Sequence, residues 1–299
     1  MKLLLVDGHY YAYRSFYAIP NLHNSKGEAT NAIFGFIKAI RRMAQELKPD
    51  FGAIVFDCGI PEWRLKLQPE YKANRKETPA GLEAQLPALQ RVTELLGFHL
   101  LCIPNQEADD SIATLARLAA PEVEVVLATN DKDLMQLVNG KVSIYSSTKG
   151  EDGEAFQLLK AREVTTKWGV PPEQIGDLLA LTGDASDNIP GVPGIGPKTA
   201  ANLIQQFGNL EKLLQNLPEI KSEKVRNLIE QYRAQILANR EMVRLDHAVQ
   251  IPTDWKTWKI QPQWEPLIEH LKKWEFRSLL RDYEQEFSTQ KVLMQKELF

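Results

Sequence analysis

Nine acidic residues in five short clusters are the part of this chain best suited to chemistry, and most of them follow apolar runs that predict strands. The clusters are Asp7 after KLLLV, Asp57 after FGAIVF, Glu107 with Asp109 and Asp110 after HLLCIP, Asp131 with Asp133 after VEVVLAT, and Asp184 with Asp187 inside LTGDASDN. Parallel strands bring their carboxyl ends to one edge of a sheet, so we expect these carboxylates to lie together.

Carboxylates gathered in this way repel one another unless multivalent cations neutralise them. The chain has no cluster of His and Cys residues, and oxygen ligands suit magnesium or manganese better than zinc. Two such ions about 3.5–4 Å apart can activate a water and stabilise a leaving oxygen. The sequence therefore predicts a site for two divalent ions, either Mg²⁺ or Mn²⁺, and phosphate-ester chemistry.

Turn chemistry is the alternative explanation for each single cluster, because Asp side chains often bond the local backbone. It does not explain five clusters in register at one edge. For Asp110 a second alternative stays open, since it lies near the first turn of a predicted helix, where the helix dipole favours an acid.

Composition limits the kind of protein this can be. Of 299 residues, 43% are hydrophobic and 25% charged, as in ordinary globular proteins, and the net charge is −3. A nucleic-acid partner would therefore need a local basic surface. Cys58 and Cys102 are expected to be small buried residues in a reducing compartment. No apolar run is long enough for a signal peptide or a membrane span, so we expect a cytoplasmic protein without membrane contact.

The first half of the chain alternates strand-like and helix-like runs, which predicts an α/β fold with a mainly parallel central sheet. The predicted strands are 2–6, 51–56, 99–103, 123–128 and 142–146. The predicted helices are 32–47, 82–96, 110–119, 174–181, 198–207, 210–215, 223–239 and 264–274. We expect an α/β core over residues 1–170, a helical region over 171–287 and a polar tail over 288–299.

Residues 60–81 form a basic segment that begins shortly after Asp57. The sequence IPEWRLKLQPEYKANRKETPAG contains three prolines and several cations. It is too basic and too interrupted for a core element, and we expect a mobile excursion beside the acidic edge.

A glycine-rich hairpin, GVPGIGPKTA, places Gly191, Gly194 and Gly196 before a predicted helix. Glycines allow close approach and positive φ, and a helix N-terminus offers free N–H groups to an anion. With Lys198 and Thr199 following, the pattern predicts a helix-hairpin-helix that grips a DNA phosphate without reading sequence. A plain turn is the alternative, and the ending of a Walker loop is missing.

Taken together, the motifs resemble the structure-specific 5′ nucleases. This family includes the 5′-3′ exonuclease domain of bacterial DNA polymerase I, stand-alone relatives, phage 5′ nucleases and flap endonucleases. The matching motifs are LLVDGHYYAYR, VFDCGIPEWR, PEYKANR, EADD, TNDKDLMQLV, LTGDASDNIPGVPGIGPKTA and WEFRSLLRDY, which extend the resemblance to about Tyr283. The resemblance implies a PIN-like fold with a helical arch or clamp. No polymerase follows in this sequence, so a stand-alone nuclease and a piece of a polymerase both stay open.

The resemblance also implies roles for individual residues. Asp57, Glu107, Asp109 and Asp110 would surround one metal ion, with Asp7 acting through water, and Asp131, Asp133, Asp184 and Asp187 would hold the second. Lys72 and Arg75 would contact the scissile phosphate, and Arg14 matches another phosphate-contacting position. Tyr10 or Tyr13 would stack on a terminal base, although core packing is the alternative for one of them. Arg64 and Lys76 would add DNA contacts. The backbone carbonyls of Ser186, Ile189, Val192 and Ile195 would bind K⁺.

The expected function is hydrolysis of branched, nicked or 5′-ended DNA, including primer removal, by a monomer. Other functions fit less well. A PIN-type single-strand ribonuclease would not need the hairpin, a non-catalytic DNA-binding factor would have lost acids, and a haloacid-type phosphatase needs an Asp where His9 stands. The final residues, Gln295 to Phe299, fit a loose sliding-clamp motif, for which chance is the alternative.

Overall fold

Runs of apolar residues form strands that are buried on both faces. Every residue of Phe51–Phe56 is buried, as are residues 3–7 of the first strand. Burial on both faces is typical of parallel strands covered by helices. The strands are β1 (Lys2–Asp7), β2 (Phe51–Phe56), β3 (His99–Cys102), β4 (Glu124–Ala128), β5 (Val142–Gly150), β6 (Gly153–Leu159), β7 (Gly183–Asp184) and β8 (Ile189–Pro190).

The helices alternate with the strands in the first half of the chain and dominate the second. The computed structural model describes the backbone of residues 1–150 and 153–297 and the side chains of residues 1–147 and 156–292. The helices are α1 (Gly8–Ala18), α2 (Asn31–Leu47), α3 (Glu62–Leu67), α4 (Ala80–Glu83), α5 (Leu86–Leu95), α6 (Ala108–Ala119), α7 (Ala161–Trp168), α8 (Ile175–Thr182), α9 (Pro197–Phe207), α10 (Leu210–Gln215), α11 (Glu223–Gln231), α12 (Arg233–Met242), α13 (Trp264–Lys273) and α14 (Arg277–Glu297).

The chain divides into two compact units. The first comprises Met1–Phe56, Thr78–Leu101 and Thr253–Phe299, and the second comprises Asp57–Glu77 and Cys102–Pro252. Among all residues that the structure describes, no helix has the length and apolar character needed to cross a bilayer. The predicted boundaries near residues 170 and 287 stay a prediction.

In the first unit the strand order is β3-β2-β1, and β1 pairs with β2 in parallel, with Leu5 opposite Ala53. The amphipathic helix α2 buries Ile33, Phe36 and Ile40 in the core of this unit. Aromatic and apolar side chains fill that core, as the pattern of helix α2 predicts.

In the second unit the strand order is β4-β5-β6. Strand β5 is parallel to β4, with Leu127 opposite Ile144, and antiparallel to β6. Helix α8 is buried along most of its length and contacts α9 and α12. The paired strands are thus mainly parallel, and the predicted α/β class is confirmed.

The structure corrects several predicted elements. Predicted helix 82–96 is two helices, α4 and α5, because Pro87 cannot donate a backbone N–H within a continuous helix. Predicted helix 223–239 is also two helices, α11 and α12. Helices α1, α3, α7 and α14 and the strands β6, β7 and β8 were not predicted. The Gly, His and Tyr residues of α1 have weak helix propensity, but the Asp7 side chain caps the helix by accepting from Tyr10 N–H at 2.9 Å.

The predicted polar tail is helical over most of its length. Helix α14 continues to Glu297, so residues 288–297 are helical. Of the proposed clamp motif, Leu298 and Phe299 lie outside the described residues, as do the side chains of Gln295 and its neighbours.

Candidate active site

Eight of the nine predicted acids belong to the second unit, each close to the end of an element. Asp57 follows β2, Glu107 precedes α6, and Asp131 follows β4. Asp109 and Asp110 lie in the first turn of α6, and Asp133 begins a 3-10 helix. Asp184 and Asp187 bracket the short turn after α8. Asp7 belongs to the first unit.

Three of these acids form a group suited to a cation. Carboxylate oxygens of Asp133, Asp184 and Asp187 all lie within 4.8 Å of one another, and all three residues are buried. The Oδ1 atom of Asp133 is buried and accepts no hydrogen bond from any described residue. A buried carboxylate oxygen without a partner is costly, and a hard cation would satisfy it.

The pKa values show the electrostatic cost of this group. Burial, together with the negative charge of Asp131 and Asp184, raises the pKa of Asp133 well above its ordinary value of 3.8. Burial and the charges of Asp187 and Asp184 also raise the pKa of Asp131. Both shifts show that the protein alone does not provide enough positive charge here.

Lys132 provides part of that charge. Its Nζ lies 2.6 Å from Asp184 Oδ1, and the same oxygen accepts from Ser186 N–H at 2.9 Å. Sequence reasoning did not select Lys132. Its position between two acids in TNDKD was the available signal.

Arg64 occupies the other part of the acidic site. The residue is 3% exposed, and its guanidinium makes two hydrogen bonds with Asp110, at 2.6 and 2.9 Å. It also contacts Glu107 and donates to the carbonyl of Arg244 at 3.1 Å. The nearby acids outweigh the effect of burial and raise the pKa of Arg64 above its ordinary value.

Asp110 has little capacity left for another cation. Besides Arg64, it accepts the N–H of Asp246 at 2.9 Å, and it is fully buried. The sequence left two roles open for this residue, and the structure adds a third, the pairing with Arg64. Asp57 accepts the N–H of Ala108 at 2.8 Å, which fastens it to the start of α6.

Residues 60–77, the part of the basic segment that belongs to the second unit, contact Asp187 through two cations. Arg75 donates to Asp187 Oδ1 at 2.6 Å, and Lys72 Nζ lies 3.6 Å from Asp187 Oδ2 while contacting Glu107. Burial alone would raise the pKa of Asp187, but Lys72 and Arg75 outweigh it and lower that pKa below 3.8. Burial alone would lower the pKa of Lys72, and Glu107 and Asp187 reverse that effect.

Tyr71 connects Asp187, one of the three clustered acids, with Glu107, which contacts Arg64. Its hydroxyl donates to Asp187 Oδ2 at 3.0 Å and lies 3.2 Å from Glu107 Oε1. Burial and these carboxylates raise the pKa of Tyr71, so the phenol stays protonated. Tyr71 was absent from the predicted site, although it precedes Lys72 in PEYKANR.

Four hydrogen bonds, here called the latch, fasten residues 68–74 to the turn 185–188. Gln68 donates to the carbonyl of Asn188 at 2.6 Å, and Asn188 donates to the carbonyl of Glu70 at 2.6 Å. Lys72 N–H donates to the carbonyl of Asp187 at 3.0 Å, and Asn74 donates to that of Ala185 at 2.7 Å.

The latch corrects the expectation of an excursion that takes no part in the core. Arg64 is 3% and Tyr71 5% exposed, because paired acids offset the desolvation of a buried cation. Arg64 therefore does not face solvent. Lys76 is exposed. Their predicted DNA contacts stay a prediction.

The glycine hairpin has the expected local geometry. A Cβ on Gly191 would lie 2.1 Å from the carbonyl oxygen of Thr182, so this close approach excludes any side chain. Gly194 has a φ of +83°. Gly196 is the N-cap of α9 and makes no side-chain cap, and Lys198 is exposed.

The remaining predicted residues are distributed around the hairpin. Ile189, Val192 and Ile195 are buried, Ser186 is exposed and Thr199 is half-buried. The carbonyl of Val192 accepts the N–H of Ile195 at 3.0 Å.

In the first unit, the predicted phosphate and base contacts lie on α1. Arg14 donates to the Tyr10 hydroxyl at 3.3 Å, and the Tyr13 hydroxyl lies 2.8 Å from Thr78 Oγ1. All three side chains are half-buried, whereas Tyr11 between them is fully buried. Tyr11 therefore supplies the core packing of this aromatic run.

The cysteines differ from the expectation. Cys58 and Cys102 are joined by a disulfide, with their Cα atoms 5.6 Å apart. Cys58 is half-buried and Cys102 is exposed, so the prediction of two small buried thiols was wrong. A periodicity argument cannot find the pair, because the strand ends that hold it are 44 residues apart.

Two family descriptions match consecutive parts of the chain. Residues 2–169 match the 5′-3′ exonuclease, N-terminal resolvase-like domain. Residues 170–266 match the 5′-3′ exonuclease, C-terminal SAM fold.

Similar proteins are of two lengths. A 5′-3′ exonuclease of Aquifex aeolicus is 34% identical over 95% of this chain and 96% of its own length. DNA polymerase I of Bacillus caldotenax is 38% identical over 100% of this chain but only 34% of its own length. This chain thus spans about a third of the polymerase relatives it matches.

Solved structures give the same grouping. The T5 5′-exonuclease with bound zinc has a TM-score of 0.68 at 27% identity, covering 82% of this chain and 90% of that one. A bacteriophage T5 flap endonuclease complex with DNA and metal ions has a TM-score of 0.67 at 26% identity, with the same coverage. The catalytic core of Rad2 with a DNA substrate, at 18% identity and a TM-score of 0.57 over 91% of this chain and 88% of that one, shares the fold.

Proposed function

The chain belongs to the 5′-3′ exonuclease family, and we propose that it is a divalent-metal-dependent 5′-3′ exonuclease and flap endonuclease acting on DNA. The observation that carries the proposal is the contact of Lys72 and Arg75 with a buried carboxylate group. Metal-dependent phosphodiester hydrolysis needs carboxylates that bind metal ions and basic side chains that bind the phosphate, close to one another. This second unit provides both.

The donor set fits magnesium or manganese. Asp133, Asp184 and Asp187 provide hard oxygen ligands within 4.8 Å of one another, and one buried oxygen of Asp133 has no partner among the described residues. We propose that these three residues and Asp131 hold one ion. Divalent ions bound here would supply an activated water and neutralise charge on the phosphate.

The second ion is assigned to Asp57, Glu107 and Asp109. Asp110 is bonded on both oxygens by protein groups, which supports an indirect role for it. We assign Arg64 as the residue that positions Asp110 and Glu107. Asp7 stays the proposed water-mediated contributor.

The cations are assigned to the substrate. Lys72 and Arg75 would hold the non-bridging oxygens of the scissile phosphate and stabilise its developing charge. Arg14 would contact a phosphate, and one of Tyr10 and Tyr13 a terminal base. Arg64 is buried, so we prefer a positioning role for it to the DNA contact predicted from the sequence.

The hairpin is assigned to the DNA backbone away from the cut. Residues 191–199 end in a helix whose N-cap has no side-chain partner, which suits a phosphate. K⁺ at the carbonyls of Ser186, Ile189, Val192 and Ile195 stays a proposal, supported by the tight turn that Gly191 permits.

Membership of the family supports a proposal for the biological setting. We propose that 5′ flaps, nicks and 5′ ends are the substrates, that primer removal in replication and repair is the role, and that the protein acts as a cytoplasmic monomer. A sliding-clamp contact through Gln295–Phe299 also stays a proposal. A clamp pull-down that is unaffected by deleting residues 295–299 would refute it.

One assay tests the nuclease proposal. Labelled flap, nicked, overhang and single-stranded DNA, with single-stranded RNA as the rival substrate, are incubated with Mg²⁺, with Mn²⁺ or with EDTA. We expect metal-dependent cleavage near the 5′ junction of flap and nicked DNA. Cleavage of RNA alone, or equal cleavage in EDTA, would contradict the proposal.

A further inference from the structure

The two cysteines of this chain form a cross-link in an accessible place. Cys58 and Cys102 are the only cysteines in the sequence, and their Cα distance of 5.6 Å is typical of disulfides. Cys102 is exposed, and Cys58 is half-buried. Cys102 is therefore the more solvent-exposed end of the cross-link.

The cross-link joins the two backbone segments that carry Asp57 and Glu107. Cys58 directly follows Asp57, and Cys102 begins the loop that leads to Glu107. Cys58 N–H donates to the carbonyl of Gln106 at 3.0 Å, and Asn105 N–H donates to the carbonyl of Cys58 at 2.8 Å. The segments are closely apposed, since a Cβ on Gly59 would lie 3.1 Å from Asn105 Cα.

We propose that Cys58 and Cys102 are a site of reversible thiol–disulfide exchange with a dithiol reductant, and that the state of their bond sets how tightly the neighbouring acids hold a divalent metal ion. The inference rests on the proposed function in one respect, the assignment of Asp57, Glu107 and Asp109 to metal. The reaction itself needs only the cysteines and the dithiol.

The exchange balances without any further reactant. One thiolate of the dithiol attacks the sulfur of Cys102, the more exposed residue of the pair. The Cys58–Cys102 bond breaks, and Cys58 leaves as a thiolate that takes up a proton. The second thiol of the reductant then attacks the reductant sulfur that is bonded to Cys102 in the mixed disulfide. Cys102 is released as a thiolate and also takes up a proton. Two electrons and two protons pass to the protein, and the reductant leaves as a disulfide.

Reduction would loosen the site without unfolding it. The two backbone hydrogen bonds and the bond from Ala108 N–H to Asp57 remain, so the segments stay apposed. Their greater freedom must then be lost when metal binds, which weakens binding. Groups that only orient ligands typically change metal affinity by about 10-fold or more, and we expect a loss of about 10-fold on reduction.

The test uses the full chain in two states. One sample is treated with oxidised glutathione and freed of it, and the other with dithiothreitol under anaerobic conditions. Maleimide labelling and mass spectrometry count free thiols. Mn²⁺ binding is then titrated by the paramagnetic resonance signal of the free ion, with thermal unfolding recorded in EDTA.

We expect no free thiols and tighter Mn²⁺ binding in the oxidised state, and two free thiols and binding about 10-fold weaker in the reduced state. Cys58→Ser and Cys102→Ser are the matched controls. Each should bind Mn²⁺ like the reduced protein and should not respond to dithiothreitol. A purely structural bond would instead change thermal unfolding in EDTA and leave Mn²⁺ affinity unchanged.

Two free thiols after treatment with the oxidant, or equal Mn²⁺ affinities in the two states, would overturn this inference and leave the proposed metal site standing. Loss of Mn²⁺ binding in both states, with the protein folded, would overturn the proposed metal site and this inference with it. The two failures are therefore distinguishable.

Discussion

The guanidinium of Arg75 donates to Asp187 Oδ1 at 2.6 Å, so a cation of the basic segment pairs directly with an acid of the proposed metal site. Lys72 approaches the same carboxylate at 3.6 Å. In the absence of metal, these two side chains supply positive charge to Asp187 and lower its pKa, whereas the pKa values of Asp131 and Asp133 stay raised. Ligation of Asp187 by a metal ion would compete with these pairs and leave the two cations available for phosphate.

Arg75→Gln should lower single-turnover cleavage by about 100-fold, because one cation that stabilises developing charge is lost. Flap binding in Ca²⁺ should weaken much less. Lys66→Gln is the matched control, since Lys66 lies on the same segment with an exposed side chain that pairs with Glu62. Normal cleavage by the Arg75 variant would remove Arg75 from the proposed site.

Asp133→Asn should abolish cleavage while DNA binding in EDTA is kept, because the amide preserves size but removes a ligand charge. Gel shift and cleavage of one labelled flap measure both. Asp177→Asn is the control: Asp177 is a buried acid outside the site that accepts Leu210 N–H at 2.9 Å. Comparable losses in both variants would indicate a folding defect rather than a metal ligand.

Arg64→Met should destabilise the protein in EDTA by about 3–5 kcal/mol, because Asp110 would be left buried without its cation. Urea unfolding measures this. Arg41→Met, which breaks half-exposed pairs with Asp282 and Glu286, should cost only about 0–1 kcal/mol. A similar cost for both would show that the burial of Arg64 has no energetic consequence.

The pH dependence of stability should reveal the raised pKa of Asp133. Its folded-state pKa lies above 3.8, so the folded protein retains a proton that the unfolded chain releases. The stabilisation from that proton is complete below about 3.8 and is lost as the pH rises through the folded value. Asp133→Asn should therefore gain stability relative to the wild type as the pH rises from 4.

The same comparison contains its own check. Asp187 has a lowered pKa, so its stabilisation is present above 3.8 and is lost as the pH falls through its folded value. Asp187→Asn should lose stability relative to the wild type at neutral pH. Unfolding in EDTA measures both variants, and parallel pH profiles for them would contradict the assignment.

Asn188→Gly should show whether the latch positions the cations. Asn188 has a φ of +60°, which glycine adopts easily, so the variant removes chiefly the bond to Glu70. We expect cleavage about 10-fold slower with unchanged Mn²⁺ affinity. Asn21→Gly, at an exposed residue with a φ of +60°, is the matched control, and equal cleavage by both variants would argue against a positioning role.

Local patterns predicted much of this protein. Strand β2 matches its predicted bounds, α10 does too, and α9 begins one residue before its predicted start. Hydrophobic runs, acids at strand ends and glycines at a tight turn are each decided by a few adjacent residues. Sequence alone was therefore sufficient for the α/β class and for the tight turn at Gly191, which meets Thr182 too closely for any side chain. The metal and DNA roles of the acids and of the hairpin stay predictions.

The tertiary structure decided which charges meet. Residues 57–77 contact partners 35 to 180 positions away, from Lys72 with Glu107 to Arg64 with Arg244. Basic residues are usually exposed, so local patterns offered no reason to expect a buried Arg64, or a buried Tyr71 in the same basic segment. Their burial is stable because acids from distant segments offset the desolvation of the cation and accept the phenol proton. Those pairings, and the cross-link of Cys58 with Cys102, exist only once the segments are folded together.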